Sequence, residues 1–260
     1  MIKRFAPVIV LGLLTAALAR AVPSGAQDSV DPRARDLLTA ASQRLAQARG
    51  FSFQSQIEFE DMAPAGIKFQ YHSSAQVYVE RPNRFQVNYQ SDRRQTQFNF
   101  DGKALTLWDR LAGVYGSLPA PGNNDQALDR TVKDFDFLVP LADLLRTNPG
   151  QALEGKIRQG YYLGEVSLNG QKVHHLGFRQ DNLDWQIWID AGPTPLIRKL
   201  LLTYTQLDGN PQYSAVFDQW NLDWRPPTAS FFSFQTPPGA TQIDFLPSQT
   251  GAGKKHLRAP

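Results

Sequence analysis

Arg81 is the residue whose position in this sequence asks for chemistry. In the stretch Val77-Tyr78-Val79-Glu80-Arg81-Pro82-Asn83-Arg84-Phe85, strand alternation sets Val77 and Val79 on one face. The same period of two puts Arg81 on that face as well. A guanidinium at an apolar position is expensive unless acceptors meet it at a rim or under a lid. Pro82 removes a ladder donor, so the strand ends or bends there. Phe85, Val87 and Tyr89 then resume the alternation. The chemistry expected of Arg81 is structural: donation to backbone carbonyls of a helix, not pairing with a carboxylate.

Other chemistries find no support in residue type and spacing. The four histidines are His72, His174, His175 and His256. His174 and His175 are adjacent, so in a strand they face opposite sides and cannot chelate one ion together. No HExxH or acidic loop with ligand spacing occurs, and no metal is expected. Gly-x-Ser-x-Gly and a glycine-rich phosphate loop are both missing. Asp181, Asp184 and Asp190 cluster in sequence, but a solvated hairpin edge accounts for them. There is no cysteine, which excludes a thiol nucleophile, a disulfide and a lipidated N-terminal cysteine. The expectation is a non-enzymatic protein without cofactors.

The elements that must position Arg81 follow from periodicity. Asp31-Pro32 reads as an N-cap followed by proline at the first helical position. Ala34, Leu37, Leu38, Ala41, Leu45 and Ala48 then recur at helical spacing, with Gly50 as the expected C′ residue. From Phe51 the period becomes two. Strands are expected at Phe51–Glu60, Ile67–Val79, Phe85–Tyr89, Thr96–Phe100, Ala104–Trp108 and Val114–Leu118, with turns at Pro64-Ala65-Gly66 and Asp101-Gly102. Leu128, Val132 and Phe135 fit a short helix begun by Asn124 or Asp125. Pro140 opens a second with Leu141, Leu144 and Leu145, which Asn148-Pro149-Gly150 is expected to stop. Strands return at Tyr161–Leu168, Lys172–Phe178, Trp185–Ile189, Ile197–Thr205 and Tyr213–Trp220, with Asn169-Gly170 as a type I′ turn. A last short strand is expected at Phe231–Phe234. About eleven strands with one helical insertion and no break in composition argue a single, mainly β domain.

The ends read differently. Lys3 and Arg4 precede an uncharged run from Phe5 to Ala19, followed by the small-x-small sites Ala19-Arg20-Ala21 and Ser24-Gly25-Ala26. That is the layout of a secretory signal peptide over 1–21, with cleavage as late as 26 as the other option. The run is short for a membrane span. The whole chain carries 27 basic and 24 acidic residues. Loss of Lys3, Arg4 and Arg20 leaves 24 against 24, so no basic footprint for nucleic acid remains. Residues 248–260 are polar and aperiodic and are expected to be a disordered tail.

Bulky apolar residues dominate one strand face. Phe53, Phe69, Val79, Phe85, Val87, Phe98 and Phe100 alternate on successive strands and are expected to converge on a concave face. Lid helices carrying Leu128, Val132, Phe135, Leu141 and Leu145 would cover it. Periodicity alone leaves two readings open: a filled sheet–helix core, or a curved sheet that keeps part of this face open as a lipid-sized pocket.

Three motifs, in order, carry a resemblance. Val79-Glu80-Arg81-Pro82-Asn83-Arg84-Phe85, Asp101-Gly102-Lys103-Ala104-Leu105 and Phe232-Ser233-Phe234-Gln235-Thr236-Pro237-Pro238-Gly239 resemble the LolA/LolB superfamily of periplasmic lipoprotein carriers. More closely, the chain is similar to a periplasmic branch of unknown function with that fold. The resemblance covers about residues 31 to 246. It implies a single antiparallel sheet curled into an unclosed β-barrel with a helical lid over a cavity that holds acyl chains. It implies that Arg81 bonds the lid helices in the closed state and that Phe85 lines the cavity. Val87 stands where carriers of known role have tryptophan, the 114–137 segment is long, and the missing cysteine excludes an anchored acceptor of the LolB type. The expected function is a periplasmic carrier for a lipid, acyl chain or other hydrophobic ligand, with a lipoprotein or membrane as a further partner. The alternative is a sensor or protein-interaction module built on the same curved sheet.

Overall fold

The computed structural model describes residues 29–63, 66–135 and 137–245. The expected signal peptide, the tail and Pro64-Ala65 of the first turn lie outside them. One 13-stranded sheet runs through the described residues. Its strands are β1 (Ser29–Val30), β2 (Gly50–Met62), β3 (Lys68–Glu80), β4 (Arg84–Ser91), β5 (Gln95–Phe100), β6 (Ala104–Asp109) and β7 (Val114–Pro119). After the helical insertion come β8 (Gln159–Leu168), β9 (Gln171–Arg179), β10 (Asp184–Asp190), β11 (Ile197–Thr203), β12 (Gln212–Asn221) and β13 (Thr241–Gln242). The order is β1-β8-β9-β10-β11-β12-β2-β3-β4-β5-β6-β7-β13. All pairings are antiparallel except two short parallel ones, β1 on β8 and β13 on β7. The first and last strands do not meet, so the barrel is unclosed. One face of the sheet, from β9 round to β7, joins the helices in a single apolar cluster, and this requires the sheet to curl.

The helix α1 (Pro32–Gln47) begins as its cap predicts: Asp31 Oδ1 accepts from the backbone nitrogens of Arg33 and Ala34, at 2.8 and 3.3 Å. It buries Ala34, Leu38, Ala41 and Leu45 against the sheet. Gly50 does not serve as its C′ residue. It opens β2 opposite Glu80, and a Cβ there would stand 2.6 Å from the carbonyl oxygen of Trp224. Close approach of a neighbouring chain, not a left-handed cap, is what asks for glycine here. The Asn169-Gly170 turn does take the positive φ values, 50° and 81°, that a type I′ turn demands.

Three further helices form the insertion: α2 (Asn124–Phe135), α3 (Ala142–Leu145) and α4 (Pro149–Glu154). α2 starts one residue earlier than expected at its cap. Asn123 Oδ1 accepts from Gln126 N at 2.9 Å while Gln126 Oε1 accepts from Asn123 N at 3.0 Å, a reciprocal capping box. Asn148-Pro149-Gly150 starts a helix and does not merely stop one. The Asn148 side chain accepts from Gln151 N, and Pro149 takes the first helical position. The same residues that end one turn are also good openers of the next.

Phe231–Phe234 is not a strand. The chain after β12 crosses the convex face as a strap with local turns, Phe231 N to Thr228 O and Ser233 N to Ser230 O. Phe232 is fully buried, and its carbonyl accepts from Asn99 Nδ2 on the convex face of β5. Trp224 and Phe231 pack on Tyr78, with ring centroids 5.0 and 5.2 Å away. Alternating rings here serve sheet coverage without any ladder partner. The strap then pairs as β13 with β7 and carries Phe245 over Gly116, where a Cβ would meet the ring at 2.9 Å. Phe245 contacts Phe135 and Phe137 at 5.3 and 5.6 Å between centroids.

Candidate ligand cavity

The concave face divides into a solid half and a hollow half. In the solid half, Val79, Phe85, Val87 and Phe100 have no exposed surface, and Phe53 and Phe98 are also buried. Register explains the packing. Val79 stands opposite Phe85 and Phe85 opposite Phe100, with the two rings 5.4 Å apart. Phe53 packs against Phe217 at 5.6 Å and Trp220 at 4.5 Å.

The hollow half holds a cavity of about 830 Å³ that is partly open to solvent, within the range of small-ligand sites. Its wall comes from strands late in the chain and the distal ends of β2 and β3. Leu202, Tyr213, Phe59 and Tyr71 stand opposite one another in one row across β11, β12, β2 and β3. Ile187 and Leu200 make the next row. Phe59 and Tyr71 stack at 5.4 Å. The roof is the lid: Leu128, Thr131 and Val132 of α2, and the segment from Leu138 to Leu144. Leu141 holds a left-handed backbone, φ 58°, which turns the chain from Pro140 into α3 at a cost of about 1–3 kcal/mol that the surrounding packing must offset.

Of the residues expected at the ligand face, Leu128, Val132 and Leu141 line this cavity. Phe53, Val79, Phe85, Val87, Phe98 and Phe100 instead fill the solid half, and Leu145, at the end of α3, is fully buried. Phe135 packs on Phe245. Phe69 has the right strand parity but is 49 % exposed, because it lies near the β2–β3 tip. Alternation assigns a face correctly; how far the lid reaches along that face depends on tertiary packing. Sequence reasoning named none of Ile187, Leu200, Leu202 and Tyr213 for the wall. Their alternation was visible, but nothing local shows that β10–β12 curl round to meet β2 and β3.

Arg81, in the turn between β3 and β4, reaches the end of α3. Its Nη1 donates to the carbonyl of Leu145 at 3.3 Å and to that of Arg146. The guanidinium also lies over the Phe51 ring, 5.2 Å from its centroid. Burial lowers its pKa to about 10 against the opposing pull of Asp125. Arg81 Nε and Nη2 are buried without partners among the described residues. Asn124, fully buried, completes the latch: its backbone nitrogen donates to Pro82 O at 2.9 Å and its Nδ2 to Leu145 O at 3.2 Å. As the first residue of α2 it read only as a helix start, so its second role had no sequence signal.

The lid also brings charge to the cavity. Arg146 pairs with Asp129 at 2.9 Å and lies 3.7 Å from Asp143. Burial holds the Asp143 carboxyl above its usual range, and Arg146 offsets this in part. Tyr204, on the opposite wall, is raised by burial and by the charge of Asp143. The three acids clustered in sequence each have an arginine: Arg179 holds Asp184 at 2.9 Å, Arg198 holds Asp190, and Arg158 meets Asp181. Among the described residues no group of three His, Asp or Glu side chains could hold a metal, and no helix is long and apolar enough to cross a membrane.

Comparison with solved structures finds similar folds. Lipoprotein LppX of Mycobacterium tuberculosis is 11 % identical with a TM-score of 0.46, covering 74 % of this chain and 96 % of that one. LprF of Mycobacterium bovis is 13 % identical with a TM-score of 0.45, covering 77 % and 99 %. A LolA superfamily protein of Nitrosomonas europaea is 13 % identical with a TM-score of 0.39, covering 77 % and 97 %. No curated protein matches the sequence. The family described as predicted periplasmic protein DUF2092 matches residues 34–246, and the chain belongs to that family.

Proposed function

We propose that this protein binds a lipid, an acyl chain or another hydrophobic ligand non-covalently in the periplasm, as a carrier and not an enzyme. The observation that carries the reading is the register-matched apolar wall of Phe59, Tyr71, Leu202 and Tyr213 facing a lid across about 830 Å³. Each methylene transferred there contributes about 0.8 kcal/mol, so a chain of moderate length outweighs the loss of translational freedom. A lipoprotein or a membrane would be the donor or acceptor.

Mass spectrometry of organic extracts of the natively purified protein, with titration by the fluorescent probe N-phenyl-1-naphthylamine, tests this. Saturable binding is expected, and Leu200→Trp, which fills the hollow from the wall, should weaken it by about tenfold. No co-purifying lipid and no saturable binding would end the carrier reading and leave the interaction-module alternative.

A further inference from the structure

The cavity is not uniformly apolar. Asp143, in the first turn of α3, keeps 61 % of its side-chain surface accessible while lining the hollow. Tyr204, just after β11, lines it from the other side. We propose that Asp143 and Tyr204 form a recognition point inside the cavity for the head of an amphiphile that donates hydrogen bonds, a primary amine or a hydroxyl, and that they select against a free carboxylate. This deepens the carrier reading and rests on it.

Three observations support the assignment. First, Asp143 has unused acceptor capacity. A carboxylate offers about four lone-pair sites, and its Arg146 neighbour, at 3.7 Å, occupies at most a minority of them. Arg146 is closer to Asp129, at 2.9 Å. Second, the local charge is unbalanced. Asp143 shares the Arg146 guanidinium with Asp129, and along the lining Glu60, Asp61, Asp92, Asp143 and Asp208 outnumber Arg93, Arg94 and Arg146, so the hollow favours a cationic or neutral donor over a second anion. Third, the position is right for a head group. Leu200, Leu202 and Phe59 lie along the wall beside Tyr204, so an alkyl chain on them brings its polar end to the two residues.

The test titrates the full chain, loaded with N-phenyl-1-naphthylamine, with dodecylamine, dodecanol and dodecanoate at pH 7.5, each below its critical micelle concentration. The wild type should be displaced by the amine and the alcohol at about tenfold lower concentration than by dodecanoate. In Asp143→Asn the ratio of amine to dodecanoate should fall to about twofold, and Tyr204→Phe should weaken the alcohol relative to the amine by about fivefold. Ratios are read against each variant's own probe Kd, so a general loosening of the cavity does not imitate the effect. Equal displacement by all three amphiphiles in the wild type would overturn the recognition point while leaving the cavity reading intact. An unchanged ranking in Asp143→Asn would overturn it as well. Absence of probe binding by the wild type would instead overturn the carrier reading itself.

Discussion

The Nη1 atom of Arg81 lies 3.3 Å from the carbonyl oxygen of Leu145, so the corner between β3 and β4 grips the end of α3. The carbonyls at a helix C-terminus have no intrahelical donors, and a guanidinium supplies them. Asn124 reaches the same Leu145 oxygen from α2 at 3.2 Å. Corner, α2 and α3 therefore meet at one acceptor, and the lid is held where the solid half of the core ends.

Replacing Arg81 by leucine should free the lid without unfolding the domain. The Leu145 oxygen keeps Asn124, and the loss of a buried guanidinium with two unpartnered nitrogens offsets part of the lost bonding. Global stability should fall by no more than about 1 kcal/mol, measured by urea unfolding. Amide exchange across residues 139–147 should accelerate by about tenfold. Unchanged exchange in that segment would remove the latch role.

Phe85 belongs to the core and not to the cavity wall. Its side chain has no exposed surface and packs on Phe100. Phe85→Ala should therefore reduce stability by about 3–5 kcal/mol, while the protein that remains folded binds N-phenyl-1-naphthylamine with wild-type affinity. A selective loss of binding at unchanged stability would return Phe85 to the ligand face.

Phe245 ties the end of the strap to the end of α2 through Phe135 and Phe137. Phe245→Ala should loosen that end of the lid. Hydrogen exchange should rise across 131–135 and stay at wild-type levels in β10–β12, with about 2–3 kcal/mol lost from global stability. Uniform changes across the chain would show that the ring acts as ordinary core.

Asp143 makes stability depend on pH. Its folded pKa is raised above the ordinary 3.8, so between the two values the folded state binds more protons than the unfolded one. Stability contributed by this group is then greatest in acid and declines as pH rises from about 4 through the folded value. Asp143→Asn, which cannot ionise, should be more stable than the wild type at pH 7, and the difference should shrink as pH falls toward 4. Thermal melts of both proteins across that range check the sign; a gap that widens in acid would contradict it.

Local chemistry made much of this protein readable from its sequence. Asp31-Pro32 opens α1 because a carboxylate cap and a fixed φ suit a helix start. Asn169-Gly170 turns β8 into β9 because only such residues tolerate two positive φ values. Arg81 called for acceptors because a guanidinium on an apolar face is expensive without them. These are effects among neighbours in the chain, or between one residue and its own solvation.

Other features depend on contacts between residues far apart in sequence. Gly50 and Asn148 each satisfied a rule, yet took other places because Trp224 approaches the first and a new helix begins at the second. Phe85 and Leu202 look alike as inward strand residues; one is core and the other cavity wall. Strand parity determined which face each would take. The curl of the sheet and the reach of the lid decided where that face is filled and where it is hollow, because packing density is set by elements that meet only when the chain is folded.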